Sequence, residues 1–167
     1  MSESIQKHAL KYVAHGLAIL PIHPKTKTPL IPEWQNNASN NPTQIHKWWA
    51  KWPNANIGIH TGKSGLVVLD VDPRNGGDES LANLITFYGE EFLSRAEVIT
   101  GGGGKHYYYS VNENETRQLP RSLGDGLDLL HGNKYVIAPP SIHASGNAYT
   151  WLVNPFESEG VLVDDEL

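Results

Sequence analysis

Residues 65 to 72 read Gly-Leu-Val-Val-Leu-Asp-Val-Asp, and this stretch constrains the fold more than any other. An apolar, β-branched run of this length reads as a buried strand. It ends in two carboxylates one residue apart. Side chains at i and i+2 of a strand share a face, roughly 6–7 Å apart at about 3.3 Å per residue. Asp70 and Asp72 are therefore expected side by side at the end of a hydrophobic strand. Like charges held together are costly unless a cation lies between them, and paired carboxylates suit the hard ions Mg²⁺ or Mn²⁺. The competing reading is a strand that simply breaks into a turn at Asp72-Pro73.

A chain of 167 residues with 39% hydrophobic residues and five Trp has enough apolar mass for one folded domain, or two small lobes sharing a core. It has no Cys, which excludes disulfides and thiolate zinc sites and fits a cytoplasmic setting. No apolar run reaches the length of a membrane span, and the N-terminus lacks the pattern of a signal peptide. The net charge of −5 argues against a protein that grips duplex nucleic acid over its whole surface, but leaves room for a local basic cleft.

The chain alternates short helical and strand signals. A helix is expected over residues 3–15, with Ile5, Ala9, Tyr12 and Val13 on one side and Gly16 beyond its end. A strand follows over 17–22, then a loop over 24–40. Asn41-Pro42 starts a helix that carries Ile45, Trp48 and Trp49 and stops at Pro53. Further strands are expected over 56–60, 66–71, 97–100, 105–111 and 148–153, and a helix from Asp78 to about Tyr88. Residues 127–130 and 134–138 read as a hairpin through His131-Gly132-Asn133. Residues 1–155 form the expected domain. Residues 156–167 are acidic and read as a tail or linker. Antiparallel strand pairs with helices alongside make an α+β class.

Three further features bear on chemistry. Thr100 is followed by four glycines and then Lys105-His106; such a loop can cradle an anion with backbone N–H groups or can be a flexible turn. It is neither a P-loop nor a dinucleotide fingerprint. His106 shares a strand face with Tyr108, whereas Tyr107 and Tyr109 take the other. Asp128 interrupts the apolar run Leu127-Asp128-Leu129-Leu130; it either faces solvent or joins Asp70 and Asp72 in a three-carboxylate site, the donor set of a two-metal phosphoryl-transfer centre. Lys27 and His143 are placed near the same cleft or in solvent. Trp34, Trp48, Trp49 and Trp52 read as core in preference to base-stacking platforms.

In order, these segments resemble the N-terminal domain of bifunctional DNA primase/polymerases, within the archaeo-eukaryotic primase superfamily. The resemblance runs from about His8 to Trp151. It rests on Gly16-Leu-Ala-Ile-Leu-Pro21, Lys27-Thr-Pro29, Trp34, Trp48-Trp49, Pro53-Asn-Ala-Asn-Ile-Gly58, Thr61-Gly62, Asp70-Val-Asp72-Pro73 with Gly76-Gly77, Gly103-Gly104-Lys105-His106, Gly126-Leu-Asp128, Tyr135-Val-Ile-Ala-Pro-Pro-Ser141, His143, Gly146 and Tyr149-Thr-Trp151. It implies a primase-type core around an RRM-like mixed or antiparallel sheet flanked by helices, with an N-terminal α/β lobe.

The implied activity is template-directed nucleotidyl transfer in DNA replication, common on plasmids and phages. Asp70, Asp72 and Asp128 would be the catalytic and metal-holding carboxylates for two Mg²⁺ or Mn²⁺ ions. His106, with Lys105, Gly103, Gly104, Lys27, Ser141 and His143, would bind the nucleotide. The expected partners are a dNTP or NTP and a single-stranded template or primer-template, with a C-terminal helicase or helical domain beyond this chain and no membrane. The sequence departs from the superfamily in having Gly104 where many relatives have Ser, and in lacking any Cys for a zinc stem. An inactive nucleotide- or single-strand-binding module is the alternative, and a metal-dependent nuclease a more distant one.

Overall fold

The computed structural model describes residues 3–112 and 118–157. Among the described residues two antiparallel sheets and five helices form a mixed α+β fold. The first helix, α1 (Ile5–Ala14), starts at Ser4, whose hydroxyl accepts from the Lys7 N–H, and buries Ala9, Tyr12 and Val13. β1 (Ile19–Ile22) is buried along its whole length. α2 (Trp34–Asn37) is one short turn inside the stretch read as loop. α3 (Pro42–Lys51) begins as its sequence demands, with Asn41 capping the Thr43 N–H and Pro42 in the first turn, where its missing donor costs nothing. Ile45, Trp48 and Trp49 face inward.

β2 (Asn56–His60) pairs antiparallel with β1 on one side and with β8 (Tyr135–Ala138) on the other, forming a three-stranded sheet. A single turn, α4 (Thr61–Ser64), connects β2 to β3 (Leu66–Val71). β3 lies inside a second sheet of six strands, ordered β6-β7-β3-β5-β4-β9. Its remaining members are β4 (Glu97–Ile99), β5 (Lys105–Ser110), β6 (Ser122–Gly124), β7 (Leu127–Leu130) and β9 (Thr150–Trp151). α5 (Gly77–Tyr88) covers one face of this sheet through Leu81, with Leu84 and Ile85 beside it.

The strand period divides β3 cleanly. Val67, Leu69 and Val71 join Tyr107, Leu127 and Leu129 under α5. Leu66 and Val68 point the other way, with Val98 and Tyr108, into a larger core built from α1, α3, β1, β2 and β8. The two lobes thus share that core. Tyr12 joins them at its centre: its buried hydroxyl donates to the Pro139 carbonyl (2.6 Å) and accepts from Trp151 Nε1 (2.9 Å). Apolar packing continues to Phe156, which is buried with its ring edge-on to Tyr12 and Trp151. The rest of the acidic stretch, residues 158–167, and part of the polar loop, residues 113–117, lie outside the described residues.

The expected hairpin between β7 and β8 does not form. β7 pairs with β3 and β6, whereas β8 pairs with β2 in the other sheet. The turn between them, with Gly132 at φ +66°, carries the chain from one sheet to the other. Its carbonyls are already claimed: the Gly62 N–H takes the Gly132 carbonyl, and the Thr61 N–H takes that of Lys134. The β2–β3 connection thereby fixes the course of the turn, which a local reading of two adjacent apolar runs does not see.

Candidate active site

The register of the large sheet sets the site. Asp70 on β3 lies directly opposite His106 on β5 and directly opposite Asp128 on β7. Directly paired residues present side chains on one face, Cβ atoms about 4.5–5.5 Å apart. His106, Asp70 and Asp128 therefore form a polar row across three adjacent strands. It lies on the face that carries Val68 and Tyr108, where the apolar core gives way to a cleft. His106 Nε2 approaches Asp70 Oδ1 at 3.3 Å. His106 Nδ1 is buried and has no hydrogen-bond partner among the described residues. Any further contact from this ring must then come from Nε2, the nitrogen turned to Asp70. Asp128 is exposed, so its carboxylate is open to a ligand.

Asp72 sits one residue past the end of β3 and holds the next turn. Its Oδ1 accepts from the Arg74 N–H (3.0 Å) and its Oδ2 from the Asn75 side-chain amide (2.6 Å). Each oxygen keeps a second lone pair. The backbone of Asp72 is clamped: its N–H donates to the Gly126 carbonyl and its own carbonyl accepts from the Gly77 N–H, both at 2.8 Å. A Cβ on Gly77 would lie 2.6 Å from the Asp72 oxygen, and one on Gly126 2.4 Å from the Gly77 nitrogen. These two glycines let the start of α5 and the entry to β7 close on Asp72.

Asp70, Asp72 and His106 line one pocket of about 120 Å³ with Lys27, Arg74 and His143. A neighbouring pocket of about 310 Å³ shares Lys27, Asp70, His106 and Tyr149 with it. Lys27 reaches the cleft from the turn after β1, which the Tyr135 hydroxyl secures by donating to the Lys27 carbonyl. His143 accepts the Ser145 N–H on Nδ1 (3.0 Å). When neutral it therefore carries its proton on Nε2, as a donor. The glycine loop packs against this ring: a Cβ on Gly101 would lie 2.2 Å from His143 Cβ. Tyr149 is buried between His106 and His143, and burial, then the charge of Asp70, pushes its hydroxyl up to about 12. It remains a neutral hydrogen-bonding group at ordinary pH.

Other expected site residues sit elsewhere. Lys105 takes the opposite face of β5 from His106 and pairs with Glu97 (3.4 Å). Strand alternation, already evident in His106 and Tyr108, dictates that separation. Ser141 is fully buried; its hydroxyl accepts the Ile57 N–H (2.8 Å) and secures the start of β2. The glycine loop does not splay its donors as an open nest: Gly103 N–H turns back to the Thr100 carbonyl and Gly104 N–H to Thr100 Oγ1. Gly104 still lines the pocket, and a side chain there would strike the Val71 carbonyl at 2.5 Å. Arg74, which the sequence reading passed over, and Tyr149, which it quoted without a site role, also line the pocket. The signal for Arg74 was its place directly after the Asp-x-Asp-Pro turn; Tyr149 offered only an aromatic near a strand start.

Among the described residues no three His, Asp or Glu side chains converge closely enough to hold an ion by themselves. The donor set still fits hard divalent ions at a phosphate-processing site, where one or two carboxylates, water and the substrate's phosphates share the coordination. No helix among the described residues is long and apolar enough to cross a membrane.

A two-lobed α+β core with Asp70 and Asp72 in one pocket with Lys27 and Arg74 offers both the carboxylates and the cations that phosphate chemistry uses. The family profile "Bifunctional DNA primase/polymerase, N-terminal" matches residues 9–162, and the chain belongs to that family. Membership places it among DNA primase/polymerase-type nucleotidyltransferases. No curated protein matches it in sequence.

Proposed function

We propose that this chain extends a primer on a single-stranded DNA template by metal-dependent nucleotidyl transfer. The observation that carries the reading is the row His106–Asp70–Asp128 across β5, β3 and β7, of which His106 and Asp70 line a pocket with Asp72, Lys27 and Arg74 and Asp128 lies exposed on the next strand. In the reaction the primer's 3′ oxygen attacks the α-phosphorus of a dNTP or NTP. The bond to the β-phosphate breaks, pyrophosphate leaves, and the hydroxyl proton passes to water.

Lys27 and Arg74 flank the triphosphate and balance its charge. His143 Nε2–H and His106 Nε2–H donate to phosphate oxygens; the latter becomes available as Asp70 turns to its ligand. Tyr149 fills the back of the site and excludes water from the space between the two histidines. Asp70, Asp72 and Asp128 would hold Mg²⁺ or Mn²⁺. Bound there, the ions would supply Lewis-acid activation of the attacking oxygen and neutralise charge on the leaving group. With no covalent enzyme intermediate, catalysis rests on positioning and on electrostatics in a partly enclosed site.

Primer extension on a single-stranded template tests this, with dNTPs or NTPs and Mg²⁺ or Mn²⁺. Incorporation by the wild type and its loss in folded Asp70→Ala are expected. Undiminished incorporation in that variant would remove Asp70 from the mechanism. A nucleotide-induced rise in melting temperature without any incorporation would favour a binding module, the reading that the open carboxylate arrangement also allows.

A further inference from the structure

The cleft does not end at the carboxylates. Beyond Asp70 and His106 the pocket of about 310 Å³ is lined by Trp34, Lys134 and Tyr135. At Asn133 it meets a further pocket of about 380 Å³, lined by His60, Lys63 and Gly132. Trp34 bridges the two: its ring lies 4.7 Å from Tyr135, edge-on, and 5.7 Å from His60. Trp48 and Trp49 are buried in the core, whereas Trp34, packed against that core, is half-buried and also lines the pocket wall.

The charge along this path is opposite to that of the chain. The protein carries −5 overall, yet the residues lining these two pockets include Lys27, Lys63 and Lys134 against a single carboxylate, Asp70, at the catalytic end. Lys63 is not available as a contact, because its ammonium donates to the Asn36 and Ala38 carbonyls (2.7 and 3.1 Å). Lys134 is exposed and makes no ion pair among the described residues. At the far end His60 is 2% exposed, and its Nδ1 accepts the Lys63 N–H (3.1 Å). In the neutral ring Nε2 then carries the proton; among the described residues that buried N–H has no partner at full hydrogen-bond geometry, and the exposed Asn133 side chain is the polar group that interacts with it.

We infer that this path is a track for a single strand of nucleic acid running from the reacting centre to the His60 pocket. Aromatic faces beside isolated cations are the means by which single strands are held with little regard to sequence. Trp34 offers the stacking surface. Lys134 meets a backbone phosphate. A base edge that displaces Asn133 takes its place beside His60 Nε2–H. The inference rests on the template-directed reading and specifies where the template lies.

Fluorescence anisotropy of the full chain with a labelled single-stranded oligonucleotide, over a range of salt concentrations, tests it. Lys134→Ala should weaken binding several-fold at low salt and lower the slope of log K against log salt by about 0.7, the value for one phosphate on a single strand. Trp34→Ala should weaken binding about 5- to 100-fold, with Trp34→Phe restoring most of it. Asn133→Ala should leave salt dependence unchanged. All should keep the dNTP-induced rise in melting temperature, which also checks that they are folded. Wild-type affinity and slope in both Lys134→Ala and Trp34→Ala proteins, or no oligonucleotide binding by the wild type, would overturn the track. If the wild type extends primers while the variants bind normally, the track alone fails. If oligonucleotide binding maps to these residues but no nucleotide is ever added, the catalytic reading alone fails.

Discussion

Gly126→Ala is the substitution for which the geometry makes the sharpest demand. At φ +69° an L-residue pays about 1–2 kcal/mol in backbone strain. The new Cβ would stand 2.4 Å from the Gly77 nitrogen, 2.6 Å from the Asp72 oxygen and 2.7 Å from Gly77 Cα. None of these is a side chain that can rotate away, and overpacking of this kind costs roughly 1–3 kcal/mol. The reduced freedom of the unfolded chain returns about 0.4–1 kcal/mol. The net expectation is a loss of about 2–4 kcal/mol, with Asp72 displaced as the contact opens. Gly103→Ala is the control: its φ is +89°, but nothing lies within 4 Å of the added carbon, so strain alone applies, about 1 kcal/mol. Urea denaturation followed by tryptophan fluorescence measures both. Equal losses in the two variants would refute the claim that the Gly77–Gly126 contact positions Asp72.

Other consequences follow from the same contacts. Ser141→Ala removes the hydroxyl that accepts the Ile57 N–H and should cost about 1–3 kcal/mol in urea denaturation while leaving the KM for nucleotide unchanged. Lys105→Ala should leave nucleotide affinity near wild type, because the side chain is on the Glu97 face, whereas Arg74→Ala should weaken it; isothermal titration with a dNTP distinguishes them. Tyr149 keeps its proton to about pH 12 in the fold, against about 10 when exposed. The unfolded chain therefore ionises first, so this contribution to stability is complete below about pH 10 and is lost as pH rises towards 12. The drop in urea midpoint between pH 9 and 11 should be shallower in Tyr149→Phe.

Much of the fold was legible because its signals are local. The apolar run at 66–71 could only be a buried strand, and Asn41-Pro42 could only start a helix economically. Partner choice was less legible. Residues 127–130 and 134–138 look like a hairpin from their own composition, but Thr61 and Gly62, some seventy positions away, claim the carbonyls of Lys134 and Gly132. The site follows the same division. Asp70, Asp128 and His106 stood out as polar residues in apolar strands, and the pairing register brings them together. Lys105 was misplaced although alternation already separated it from His106. Ser141 read as a cleft residue because an exposed hydroxyl and one bonded to a distant backbone N–H are identical in sequence. Trp34 read as core, and it does pack against the large core, but from a single helical turn that leaves it half-buried on a pocket wall.

The rate of single-nucleotide addition by Asp128→Asn tests the account most directly. Asp128 is the carboxylate with the strongest competing explanation, a solvent-facing residue on an amphipathic strand, and its exposure by itself suits either. Its place opposite Asp70 predicts a drop of about 10²-fold or more at unchanged stability, the scale seen when one preorganised electrostatic partner is lost from an active site. A wild-type rate in that variant would mean that the row across the three strands is not the reacting centre.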